Sequence, residues 1–161
     1  MAIYQGFNIK NITLENLYKK INSVLSNNVF VTTVTKGDIF EVDLTSVDYP
    51  LAHFGITSAN YDTQTLQYVF QVIVMDLVSK DESNEENVLG DTLQVIGDLI
   101  SQLKNEDDDD YDDFRNDIRI LDSVSCEPFT ERFDNEVSGF TATITIEVNF
   151  ESNTNKSIYI I

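Results

Sequence analysis

Histidine and cysteine are almost missing from this chain of 161 residues, which has one of each, His53 and Cys126. Nucleophilic and metal-hydrolytic catalysis draws on sets of such side chains, so their scarcity argues against both. A single cysteine cannot form an internal bridge. Cys126 lies in the strand-like stretch ILDSVSCEPF and reads as a small buried apolar residue in a reducing compartment, with an intermolecular or reactive thiol as the other reading. Basic residues are also few: 10 Lys and Arg stand against 28 Asp and Glu, for a formal net charge of -18. Such a surface repels nucleic acid and anionic membranes. The six glycines hold no phosphate-cradling loop, and one cysteine makes no zinc spacing. Nowhere do about eighteen apolar residues run together. The opening MAIYQGFNIK has neither a basic start nor a sustained apolar core, so a soluble protein made in a cytoplasm, not in a membrane, is expected. Without a secretory signal, the glycosylation sequons at Asn11 and Asn155 carry no weight.

What is present suits one domain over residues 1–151, since a chain of this length buries roughly two thirds of its unfolded surface. Thr13 is a good N-cap, and Leu14, Leu17, Tyr18, Ile21, Val24 and Leu25 then fall on one helical face that Asn27 and Asn28 end. The runs VFVTTV and IFEVDL flank Thr35, Lys36, Gly37 and Asp38 and predict a β-hairpin with a bulge near Phe40. Pro50 starts a third strand, LAHFGI, and a polar loop over residues 57–65 separates it from the longest one. In that strand Leu66, Tyr68, Phe70, Val72 and Val74 make one apolar face, while the other passes from Gln67 and Gln71 to Ile73 and Met75. This is the pattern of a central strand covered on both sides at one end.

A second helix comes next, with a Ser83–Glu86 capping box and a stripe of Val88, Leu89, Leu93, Ile96, Leu99, Ile100 and Leu103. DIRILDSVSC then reads as a strand, EPFTERFDNEVSG as a polar connection, and FTATITIEVNF as a half-buried strand facing inward with Phe140, Ala142, Ile144, Ile146, Val148 and Phe150. The expected fold is α+β, a two-layer sandwich of two principal helices on a mainly antiparallel sheet.

Between them, residues 105–117 carry Glu106, Asp107, Asp108, Asp109, Asp110, Asp112, Asp113 and Asp117 against the lone Arg115. Carboxylates attract calcium, but the glycine and closing Glu of an EF-hand loop are missing, so a solvated loop is the reading, with no metal and no cofactor. No two acids are fixed in a cleft as a paired-carboxylate hydrolase requires, and His53, between Ala52 and Phe54 in mid-strand, reads as structural or interfacial. No enzyme is expected. Residues 152–161 end in Ile158, Tyr159, Ile160 and Ile161, apolar where a chain usually frays. They pack on the chain's own core, dock on a neighbouring subunit, or stay disordered.

The succession of helix, hairpin, Tyr49-Pro50-Leu51-Ala52-His53, a long strand ending in Met75-Asp76-Leu77, an acid-capped helix and further strands resembles the tail terminator, or tail completion, proteins of tailed bacteriophages. The likeness spans about residues 10–151 and centres on the strand passing into a helix over residues 66–103; the acidic segment within that span and the apolar end after Lys156 are departures from the family pattern. The resemblance implies a virion protein, assembled in the host cytoplasm, that forms a homo-oligomeric ring, commonly a hexamer, at the head-tail junction. Its partners would be the tail tube and neck or portal-proximal proteins, and DNA would pass through without tight binding. Asp107, Asp108, Asp109, Asp110, Asp112 and Asp113 are then candidates for a channel or partner surface, and Ile158, Tyr159, Ile160 and Ile161 for docking between subunits. Two other readings stay open: a neck adaptor or stopper between portal and tail, and a non-viral acidic interaction module, such as a mimic of DNA.

Overall fold

The longest alternating run becomes the spine of the molecule. In the computed structural model, which describes residues 13–104, 118–121, 123–132 and 136–150, it is strand β3 (Thr65–Leu77), paired with β6 along its whole length and with β2 from Leu66 to Met75. The other strands are β1 (Thr33–Lys36), β2 (Leu51–Tyr61), β4 (Ile118–Ile120), β5 (Ser125–Arg132) and β6 (Glu136–Asn149). The sheet runs β1-β2-β3-β6, and β4 and β5 lie in line on the outer side of β6, where Leu121 N–H bonds to the Thr145 carbonyl at 3.1 Å between them. β1 pairs parallel with β2 and all other pairs are antiparallel. With helices α1 (Leu14–Asn27) and α2 (Glu85–Lys104), this is the expected α+β sandwich.

Both helices lie on one sheet face. Thr13 caps α1 by accepting the Asn16 N–H at 3.2 Å, and Leu17, Ile21 and Leu25 point inward. α2 contributes Val95, Ile96, Leu99 and Leu103. They pack against Tyr68, Phe70, Val72 and Val74 of β3 and Ala142, Ile144, Ile146 and Val148 of β6. Each fully buried Leu or Ile contributes about 2 kcal/mol, an upper figure because the unfolded chain already hides some surface. On the opposite face a smaller core joins Leu51, Ile73, Met75 and Val137 beneath Ile39, Val42, Leu44, Val47 and Tyr49. This is the double cover that β3 predicts at one end.

Several expectations are corrected. VFVTTV and IFEVDL do not form a hairpin: β1 pairs with β2 instead, and residues 39–41 wind into a 3-10 helix whose neighbours cap the second core. Gly37, at φ 102°, turns the chain across the sheet face and not back along β1. The predicted loop over residues 57–65 is mostly strand, because β2 continues to Tyr61 with both faces exposed. DIRILDSVSC is two strands, and EPFTER belongs to β5, an edge strand that tolerates Pro128. α2 starts at Glu85, one residue later than an N-cap at Ser83 implies, with the Asn84 carbonyl accepting the Val88 N–H at 3.0 Å. Leu93 lies on the outer side of α2, 42% exposed, while Thr92 takes the buried place and donates to the Val88 carbonyl at 2.8 Å.

Candidate functional site

Opposite the helices, and beyond the second core, the sheet presents an ordered polar surface. Strand alternation places Gln67, Val69 and Gln71 of β3 there, and with them their cross-strand partners Glu147, Thr145 and Thr143 of β6. Asn60 and Ser58 of β2 extend two of these rows on one side. Arg119 of β4 and Ser125 of β5 extend rows on the other. The surface is amide and hydroxyl, and its charges are tied together: Arg119 Nη2 donates to Glu147 Oε1 at 2.9 Å, and Gln67 Nε2 donates to Glu147 Oε2 at 3.0 Å. A strongly acidic protein thus carries a face whose rows hold one tied charge pair, bordered by the exposed Glu127 opposite Thr141. Thr141, Thr143 and Thr145 in alternate positions are the sequence signal for it.

Beside this face lies a cleft of about 450 Å³ lined by residues that include Tyr18, Ile39, Phe40, His53, Ile56 and Gln71. His53 does not open to act in it. Its ring lies 2.7 Å from Thr35 Oγ1 through Nδ1 and 2.9 Å from the Gly37 carbonyl through Nε2, so it joins β1, the turn and β2, in keeping with a structural residue. A second cleft, about 500 Å³, runs between the ends of α1 and α2 past Lys20, Val24, Val29 and Asp98, and Asn28 Nδ2 donates to Asp98 Oδ2 at 3.2 Å beside it.

Burial pushes the Asp76 carboxyl above its ordinary range, the Leu77 N–H works against that, and nearby Asp91 adds to it. Burial likewise raises the Cys126 thiol, which packs partly buried against the main core. Among the described residues no group of three or more His, Cys, Asp or Glu side chains is arranged to hold a metal, and no helix is long and apolar enough to cross a membrane.

The predicted channel residues Asp107, Asp108, Asp109, Asp110, Asp112 and Asp113, and the predicted docking residues Ile158, Tyr159, Ile160 and Ile161, lie outside the described residues. The polar sheet face was not among the predicted sites. Neither the known protein families nor the curated proteins give a match to this chain.

Proposed function

We propose that this chain is a structural subunit of a tailed-bacteriophage virion. In this reading it is a tail terminator or completion protein that closes into a ring, a hexamer in the family it resembles, between the tail tube and the neck. The observation that supports the reading best is the polar sheet face, with Gln67, Gln71, Ser125, Thr143 and Thr145 in cross-strand rows and Arg119 held by Glu147. Tight phosphate binding requires Lys and Arg side chains free to displace counterions. A ring lined by this face lets DNA move past without sticking, and the Asp107, Asp108, Asp109 and Asp110 segment repels it or meets the neck. The mechanism is steric and electrostatic, without turnover.

The test has three parts. Mass measurement of concentrated protein should give a closed multiple of the subunit. The ring should leave duplex DNA unbound at moderate salt, and the variant Gln71→Lys/Thr143→Lys should retain DNA with a steeper salt dependence. In particles, the protein should lie at the head-proximal end of the tube, and a place next to the portal would assign it instead as adaptor or stopper. A persistently monomeric protein absent from particles, or tight DNA binding by the unaltered ring, overturns the proposal.

A further inference from the structure

β2 is covered along only half of its outer edge. β1 pairs with Leu51, Ala52, His53 and Phe54, Gly37 N–H bonds to the Phe54 carbonyl at 3.0 Å, and Tyr18 Oη accepts the Ile56 N–H at 3.0 Å. The strand then runs on through residues 57–61, all exposed, and among the described residues no strand lies on their outer side. Asp62 N–H bonds inward to the Thr65 carbonyl at 2.8 Å. Counting back by twos, residues 60 and 58 also face β3, so the N–H and C=O of Ala59 and Tyr61 point outward. Proteins guard such edges with charge, proline or shortness. β1 is 4 residues long and ends on Lys36, and β5 carries Glu127 and Pro128. Thr57, Ser58, Ala59, Asn60 and Tyr61 hold neither a charge nor a proline. Exposed aromatic rings stand at both ends of this stretch: Tyr61 is 67% exposed, and Phe40, 93% exposed, borders the cleft that Ile56 and Thr57 also line.

What fits this edge is the same edge of a second copy. Two chains of net charge -18 repel each other except where charge is locally absent. The rows beside the edge, Ser58 with Val69 and Asn60 with Gln67, are uncharged. Set antiparallel about a two-fold axis at Asn60, Ala59 of each copy stands opposite Tyr61 of the other, and each such pair exchanges both of its outward backbone bonds. Ala59 and Tyr61 lie on the helix side of the sheet, across from Tyr68 and Leu66, so each small residue leaves room for the other copy's ring. That ring already rests on Phe150, with centroids 4.9 Å apart. Asp62, the nearest acid along the strand, comes to stand opposite Ser58 of the other copy. The two Asp62 residues are then about 13 Å apart, beyond the screening length at physiological salt. Past Asp62 the second copy turns away beside Thr57 and Ile56, where the Tyr18 hydroxyl already holds the Ile56 N–H, and its turn covers Phe40. The Phe40 and Tyr61 rings of both copies and the two edges together come to about 1,000 Å², the lower bound of a specific interface.

From this geometry we infer that two copies of the chain join through residues 57–61 of β2, antiparallel about a two-fold axis at Asn60, into one continuous sheet. Such a contact closes on a pair, so it is separate from any contact that closes a ring and does not rest on that reading. A residue on the axis meets itself. Asn60 stands there in a close, non-hydrogen-bonded position, where a disulfide fits. The test uses the full chain with Cys126→Ser/Asn60→Cys, oxidised while concentrated. Cys126→Ser/Ser58→Cys is the control, because the two copies of residue 58 lie about 13 Å apart. A disulfide-linked pair is expected from the first variant and free thiols from the second. Equal cross-linking of both would trace the link to random collision, and free thiols in both would show that a second copy does not cover the edge; either overturns the inference. Hydrogen exchange gives a second reading on the unaltered protein. The Ala59 and Tyr61 amides should exchange about 10-fold more slowly, or slower still, in concentrated than in dilute solution, with the Phe70 amide unchanged. Rates that do not depend on concentration overturn it as well.

Discussion

Thr35 and His53 face each other across the β1-β2 pair, with the hydroxyl oxygen 2.7 Å from Nδ1 of the ring. The other ring nitrogen lies 2.9 Å from the Gly37 carbonyl, which only accepts, so Nε2 carries a proton, and in the Nε2–H tautomer Nδ1 accepts from Thr35. His53 is 3% exposed. Thr35→Val keeps the shape but leaves Nδ1 without a donor, and urea unfolding should show a loss of about 1 to 2 kcal/mol with an unchanged native spectrum. Nitrogen NMR of the unaltered protein should show the Nε2–H tautomer. Stability equal to wild type would mean that this contact does not hold β1 in place.

Two glycines of the sheet leave room that no other residue can leave. A Cβ on Gly139 would stand 1.8 Å from the Val74 carbonyl oxygen and 2.9 Å from Met75 Cα, both backbone of the neighbouring central strand. On Gly55 it would stand 2.6 Å from the Gly37 carbonyl oxygen, the acceptor that His53 uses. Gly139→Ala should therefore cost about 3 kcal/mol or more, and Gly55→Ala about 1 to 3 kcal/mol. The Gly55 effect should also be non-additive with Thr35→Val, because both act on the same bridge. Denaturant curves of the two single variants and the double variant measure this.

Ile144 is 1% exposed and pairs with Phe70 at the middle of the sheet. Ile144→Asp buries a charge with no partner, a cost of several kcal/mol that this domain should not survive, so cooperative unfolding should vanish. Leu93→Gln, on the outer side of α2, should change stability by less than about 1 kcal/mol. Asp108→Asn/Asp109→Asn should fold normally. A cooperative transition in the first variant would mean that the inward face of β6 is assigned to the wrong residues.

Periodicity made β3, β6 and both helices legible, because each buries one side against a large core and its apolar residues recur at two or at three to four positions. The same rule failed where burial is partial. IFEVDL has β-rich composition, yet its step from Ile39 to Val42 is three residues, the mark of a helical turn, and the segment caps the second core without pairing. The far half of β2 and EPFTER were polar enough to pass for loops because an edge or an uncovered tip needs no apolar alternation. The parallel β1-β2 pair depends on where Gly37 and Pro50 redirect the chain, and local composition carries no sign of that partner. For the site, the alternating threonines of β6 were visible as a polar face. The tying of its charge was not, since that depends on Arg119 meeting Glu147 across the sheet.

Asp76, at the end of β3, is held above its ordinary carboxyl range chiefly by burial, and the nearby Asp91 adds to this. The folded state thus favours the protonated form more than the unfolded chain does. Below the unfolded value of 3.8 both states carry the proton and no penalty arises. As pH rises through the raised folded value, the native protein must ionise a carboxyl that it disfavours, and stability falls until the group is fully charged. Asp76→Asn removes that penalty and keeps an oxygen to accept the Leu77 N–H, now bonded at 2.8 Å. Partial exposure screens the effect, so the gain at neutral pH should be under about 1 kcal/mol, or about 1 to 3 °C in Tm. It should shrink to nothing in acid. Asp48→Asn, which deletes an exposed charge, controls for the relief of general repulsion and should leave Tm within error. Equal gains from both variants, or a gain from Asp76→Asn that persists in acid, would trace the effect to net charge and not to the burial of this carboxyl.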